Sequence, residues 1–520
     1  MIYDGSNLKL PMRIKADLCV VGSGAGGAAA AAVAAEAGLD VILIEAGPFV
    51  PPQVMNQREE DMVPPLLYAN GSLTTTDGGS TIVQGRALGG STVHNINLCK
   101  RIPDAILAEW EATRGMSHLP RSRWNELYEE IEELLAVSYV DAAQYNRHNV
   151  LFQEGCESLG WKSAGLAHNR TGCIGSGFCA VGCAYDAKNN AAKVFIPRLI
   201  DAGGQVFTHC QAVRVIHGDN QVHGVEALAL DPGTRRPLGK VTIEASKVCL
   251  SASATGTAAI LIRSKVPDPS GETGNRLNIH PALVAAGEFD EPVRAWSGIP
   301  QSYECTEFLD FHAAHPPKGA DESKVAAALK TGLRTWLVPV FAHPMSTATI
   351  LPGWGAEHRS LLERYDRLAV YTAMIHDQSP GTVRPSGDLG MDIDWSPNAA
   401  DTKELLFGVA RAAELLFASG AKRVFIPARP LIELKPSDSL DTLENLDLST
   451  IEITAVHPMS SVPMGDDPQK SAVDSRGKHH HVEGLWVADG SLFPTSIGGP
   501  PQISIYALGL HVGRAIAAES

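Results

Sequence analysis

A short apolar strand running into a glycine-spaced turn and then a helix of small residues leaves a chain few folds to adopt. Residues 17–47 read this way. Asp17 to Val21 (DLCVV) is a strand, and Gly22-Ser23-Gly24-Ala25-Gly26-Gly27 is the turn. An alanine-rich helix follows and stops at Gly38, and Val41 to Glu45 (VILIE) is the next strand. Two buried strands around such a helix imply a parallel sheet with close helix packing. Gly22 permits the tight turn, Gly24 lets the backbone approach a pyrophosphate, and Gly27 lets the helix sit against the strand. The helix N-terminus, with Gly26 in its first turn, adds amides and a partial positive charge. Glu45 stands where an acidic residue accepts from an adenosine ribose hydroxyl. This unit specifies a dinucleotide without saying which one.

A second glycine-rich stretch, GRALGGSTVHN at residues 85–95, narrows the choice. One glycine turn holds the pyrophosphate of NAD or FAD equally well. A second backbone segment suited to close approach, near where an isoalloxazine ring would lie, points to flavin.

The totals are those of a globular enzyme. At 520 residues the chain has room for two or three domains and a large core. Its net charge of −15 disfavours nucleic acid, because duplex binding needs a basic surface. No apolar run is long enough to span a membrane, and the first residues lack the charged and apolar regions of a signal peptide. Nine cysteines are spread through the chain, which suggests reduced thiols and a cytoplasmic location.

Residues 101–170 read as charged and helical, with helical spacing of Leu and Ile in NELYEEIEELLAV (125–137). Strands resume after Lys193. Residues 286–400 read as mixed, with long loops at Pro- and Gly-rich breaks. Asp401 to Ser419 reads as an amphipathic helix, with Asp401 and Glu404 as a capping box and Gly420 as the stop. Motifs crowd both ends of the chain. The expected architecture is α/β (α+β overall), with a discontinuous Rossmann-like cofactor domain over 1–100, 190–285 and 451–520. Residues 101–189 and 286–450 would form an inserted substrate domain of antiparallel sheet plus helices.

The chain resembles the glucose–methanol–choline (GMC) family of FAD oxidoreductases almost end to end. The matching segments are VVGSGAGG (20–27) with IEAG (44–47), GRALGGSTVHN (85–95), and VCLSASATGTAAILIRS (248–264) with NIHP (278–281). HPMSSVPMGDDP (457–468) and LWVADGSLFPTSIGGPPQISIYALG (485–509) complete the set. The cysteine block leans towards long-chain alcohol oxidase members, and cholesterol oxidase-like and FAD glucose dehydrogenase-like members are similar too.

The resemblance implies roles residue by residue. His457 matches the family's base beside the flavin, and imidazole suits removal of a hydroxyl proton near neutral pH. The family's usual partner, His or Asn, falls at Pro500, which has no side-chain donor and no backbone N–H. Gln502 is the nearest candidate to substitute. Arg86, Gly89, Gly90, Ser91, Asn95, Val213, Asp489, Gly490 and Gln502 match cofactor-contact positions. His94 matches a slot where some members attach the flavin covalently. The implied reaction is oxidation of a neutral or apolar alcohol, sterol or sugar to a carbonyl, with oxygen or another acceptor taking the electrons.

Two other readings stay open. One is a flavin-containing lyase on the same fold. The other is a dehydrogenase subunit with an iron–sulfur cluster on Cys173, Cys179 and Cys183, three ligands where a ferredoxin-like run has four. A cysteine loop without metal is the plainer reading, and no other metal site is expected. The tract His479-His480-His481 reads as a solvated turn.

Overall fold

The computed structural model describes residues 1–309, 333–351 and 353–519. Strand Met12–Val21 lies parallel to Val41–Ile44, with Leu18 opposite Val41 and Val21 opposite Ile44. The helix between them, Ala25–Glu36, buries every alanine it carries. That is the expected crossover, and Gly38 at φ 98° ends it without a Cβ clash. The closeness is real: a Cβ on Gly27 would sit 2.1 Å from the carbonyl oxygen of Gly22.

These strands belong to an eight-stranded sheet. Its order is Ile2–Asp4, Gln205–Thr208, Val41–Ile44, Met12–Val21, Pro237–Leu250, Gln221–Leu230 and Cys210–Gly218, with Leu485–Val487 also paired to Pro237–Leu250. The last three strands of that order form an antiparallel meander on an otherwise parallel sheet. Helices Ala191–Asp201 and Gln502–Ala518 pack beside Ala25–Glu36. The C-terminal helix approaches closely because Gly509 meets the backbone of Gly26.

A ten-stranded sheet makes the second half. Its main path is Leu73–Thr74, Ser80–Ile82, Ile453–Ala455, Pro281–Glu288, Leu368–Ile375, Thr335–Pro339, Tyr303–Cys305 and Ser163–Gly165. Its strands come from segments on both sides of the expected domain division. Helix Ala399–Ala418 covers it, packed on Pro281–Glu288 and Leu368–Ile375.

Two local expectations change, and one gains detail. The described part of 286–400 is mixed as expected, and it supplies Thr335–Pro339 and Leu368–Ile375, two strands buried along their whole length. Continuous apolar runs of that size carry no alternation to mark them as strands. Asp401 and Glu404 do not cap the following helix. Asn398 caps it by accepting from the Asp401 amide, while the Asp401 carboxylate is buried against Arg334 at 2.6 Å. The histidine tract is not a solvated turn either. His479 is buried, and His480 Nε2 lies 2.9 Å from the Gly465 carbonyl oxygen.

Candidate active site

A cavity of about 480 Å³ runs from the first glycine turn to the end of the ten-stranded sheet. Gly22, Gly24, Gly26, Glu45, Arg86, Gly90, Ser91, His94, Asn95, His457, Asp489, Gly490 and Gln502 all line it. Residues far apart in the chain thus converge on one space. Gly27 and Gly89 stand behind the lining. Val213 does not reach it, and the neighbouring Cys210, Gln211 and Ala212 do.

At one end the two glycine loops touch. A Cβ on Gly90 would fall 2.8 Å from Gly24 Cα, whereas a Cβ on Gly24 would meet no protein atom within 4 Å. The Gly24 backbone therefore faces open cavity at the helix N-terminus, and no side chain caps that helix. Ser23, unremarked in the sequence, fastens the loops. Its Oγ donates to Glu45 at 2.5 Å and accepts from the Gly89 amide at 2.9 Å. Glu45 also accepts from the amides of Ser23 and Gly47. Opposite them, Arg86 keeps its buried Nε without a partner among the described residues, and burial lowers its pKa. Asp489 accepts from Thr257 Oγ1 at 2.6 Å and from the Ser491 amide at 2.9 Å.

This end suits FAD on three counts: bare backbone at a helix N-terminus, an unpartnered guanidinium nitrogen, and a Glu at the adjoining strand end. His94 adds a buried Nε2 without a partner among the described residues, and burial pushes the ring down to about 3.

The loop after Gly90 is held from below by Lys188. This fully buried ammonium donates to the carbonyls of Val93, Asn95 and Cys179, and burial lowers its pKa to about 8. Gln502 is likewise committed to the protein. It accepts from Asn95 Nδ2 at 2.8 Å and donates to the Leu98 carbonyl at 2.7 Å and to Asn169 at 3.1 Å. Its amide positions Asn95 and has little left for a ligand.

At the other end stands His457, just beyond strand Ile453–Ala455. Its Nδ1 lies 2.8 Å from His280 Nδ1, and the rings stack at 5.0 Å. Its Nε2 has no partner among the described residues, and His457 lines the cavity. Burial pushes His457 down to about 3 and holds His280 well below the usual imidazole range, so both rings are neutral at neutral pH. Pro500 lines the cavity as well. The cavity lining includes the apolar Ile96, Val284, Val340, Phe341 and Met374, with Gln301, Thr372 and Thr454 as polar members.

His280 is the main functional candidate the sequence left without a role. Its only signal was its place in NIHP. Cys173, Cys179 and Cys183 are free thiols, and among the described residues no group of three or more His, Cys, Asp or Glu is arranged to hold a metal ion.

A Rossmann-type sheet, two glycine loops meeting at a cofactor-sized cavity and a histidine at its far end define a dinucleotide-dependent oxidoreductase. The models of the GMC oxidoreductase N- and C-terminal regions match residues 64–282 and 377–509, and that of a Rossmann-like NAD(P)-binding domain matches 20–65. An uncharacterised GMC-type oxidoreductase of Mycobacterium tuberculosis is 31% identical over 98% of this chain and 77% of its own. A long-chain-alcohol oxidase of Arabidopsis thaliana is 26% identical over 97% of this chain and 67% of its own. Pyridoxine 4-oxidase from Mesorbium loti has the same fold, with a TM-score of 0.70 at 18% identity, covering 96% of this chain and 98% of that one. A formate oxidase from Aspergillus oryzae gives 0.71 at 16% identity, over 97% and 98%. The chain belongs to the GMC oxidoreductase family, a family of flavin-dependent enzymes acting on alcohols or similar donors.

Proposed function

We propose that this protein oxidises a neutral, largely apolar alcohol to a carbonyl compound, with His457 as the base. The observation that carries the reading is His457 lining a cavity whose other end fits FAD, its Nε2 without a partner among the described residues. When bound, FAD accepts the carbon-bound hydrogen of the alcohol as hydride. Gly24, Glu45, Arg86, Gly90 and Asp489 would hold it, and segments 1–100, 190–285 and 451–520 would form its domain.

The residues of the chain do the rest. A neutral His457 presents a lone pair at Nε2 and takes the hydroxyl proton. Asn95, fixed by Gln502, keeps an amide hydrogen for the hydroxyl oxygen, a task Pro500 cannot perform. Apolar walls exclude water and favour a hydrocarbon substituent over a charged one. The long-chain-alcohol oxidases among the relatives support the same substrate class.

The test is a panel of alcohols mixed anaerobically with the holoenzyme while the flavin spectrum is followed, and air is then admitted. Primary alcohols with long chains should bleach the flavin fastest, and air should restore it if oxygen is the acceptor. His457→Asn should slow bleaching about 10²- to 10⁴-fold, the usual contribution of a general base. Bleaching at the native rate in that variant would refute the assignment. His94 is proposed as a covalent anchor, because the residue lines the cavity and its buried Nε2 has no partner among the described residues. Acid precipitation should then leave the yellow colour in the pellet. Colour wholly in the supernatant would reduce His94 to packing.

A further inference from the structure

Pro500 removes the side chain that would pair with the base from the C-terminal side. A different residue reaches that base from the opposite direction. Strand Pro281–Glu288 runs antiparallel to Ile453–Ala455, with Pro281 opposite Ala455. Beyond the ladder the two chains stay together, and Asn278 bridges Met459. This register brings His280 and His457 face to face, each just outside the end of its strand.

We propose that His280 is the positioning residue for His457: it accepts a hydrogen bond from His457 Nδ1–H and so fixes the tautomer whose Nε2 lone pair faces the substrate. This rests on the reading of His457 as base and adds to it the partner that base requires.

Two Nδ1 atoms at 2.8 Å share one hydrogen, so one ring must donate and the other accept. If His280 donated, neutral His457 would carry its proton on Nε2 and could not act as a base. With His457 donating, its Nε2 is left bare and the proton of neutral His280 sits on its own Nε2, which is buried without a partner among the described residues. When the hydroxyl O–H breaks and its proton joins His457 Nε2, the new imidazolium still donates from Nδ1 to a neutral acceptor. The ring nitrogens are thus assigned by the hydrogen bond each makes, as in other oriented histidine bases.

The backbone points the same way. His280 is held at φ 54°, in the left-handed region that few non-glycine residues adopt, although Asn, Asp and His enter it more readily than others. The surroundings over-determine it. The Asp377 carboxylate accepts from the backbone amides of Ile279 and His280 and from Asn278 Nδ2. Strain retained in a fully buried residue, beside a cavity, is typical of a position kept for function. The titratable groups facing His280 are His457 and His376, with the Asp377 carboxylate against its main chain.

The experiment compares wild type, His280→Asn, His280→Ala and His457→Asn as FAD-loaded enzymes. Asn tolerates the left-handed backbone and can accept from His457 Nδ1–H, but it is a poorer acceptor than imidazole. Flavin reduction by an alcohol should fall on the order of a hundredfold in His280→Ala, with partial rescue in His280→Asn. The reduction rate against pH should shift in both. Ring ¹⁵N spectra of histidine-labelled enzyme, with His457 assigned from its Asn variant, should show His457 protonated at Nδ1 in wild type and mixed tautomers in His280→Ala. Cofactor content and thermal midpoint identify any variant that has merely lost its fold, and the Asn variant then carries the decision. Unchanged pH dependence and unchanged His457 tautomer in His280→Asn and His280→Ala would overturn the proposal. If His457→Asn itself reduces flavin at the native rate, it is the base assignment that fails.

Discussion

Gly24 and Gly27 lie in the same turn, yet substituting them should have opposite consequences. A Cβ on Gly27 would lie 2.1 Å from the Gly22 carbonyl oxygen and 2.8 Å from Ser251 Cβ, inside the packed protein. A Cβ on Gly24 would meet nothing within 4 Å, and Gly24 has an ordinary φ of −64°. Gly24→Ala should therefore cost no more than about 1 kcal/mol of stability, the cost of a poorer N-cap. It should still weaken FAD binding, because the added methyl occupies the cavity where the pyrophosphate is expected. Gly27→Ala should fail to give folded protein. Thermal melting of the apoprotein and FAD titration separate the two effects. Equal FAD affinity in Gly24→Ala and wild type would move the pyrophosphate away from this turn.

At the scale of elements, the unit 17–47 could be read directly because each of its residues obeys a local rule. Small side chains allow close packing, glycines allow the turns, and Gly38 stops the helix. Helix Ala399–Ala418 was legible in its extent but not in its ends. Asp401 satisfies the capping pattern by spacing, yet tertiary structure takes its carboxylate for Arg334, Gln378 and Ser379. Nothing local to 398–404 encodes an arginine from a strand elsewhere. This difference sets a magnitude. Asn398→Ala removes an N-cap and should cost about 1 kcal/mol. Asp401→Ala strands a buried guanidinium and should cost about 3–5 kcal/mol. Chemical denaturation of the two variants should separate them clearly. Similar costs would mean that Arg334 finds another partner when Asp401 is gone.

For the molecule as a whole, the glycine loops and His457 were legible because their chemistry is tied to short spacings. His280 and Lys188 were not, since each acts across a contact made only by the assembled sheets. The same burial that hides such residues also governs how the protein responds to acid. His148, His479 and His511 are pushed by burial to about 4, and His168 to about 3, all outside the cavity. In the unfolded chain such rings titrate near about 6.5. Between those values the unfolded state binds protons that the folded state does not, so stability rises with pH in that window and falls as pH drops. Above the unfolded value these rings contribute no pH dependence. Asp377, pushed up to about 6 by burial, has the opposite sign: its folded form binds the extra proton between about pH 4 and 6, which softens the loss by one group. Each ring supplies up to about 1.4 kcal/mol per pH unit, so four rings, opposed by Asp377 and by Asp489, which burial also raises, still remove much of a domain's usual 5–15 kcal/mol within a few units. Denaturation midpoints should be flat between about pH 7 and 8, below the range where buried Lys188 titrates, and fall steeply below about pH 6, with cooperative acid unfolding above about pH 4. A protein still folded at pH values where these rings are protonated would show that they reach solvent without global unfolding.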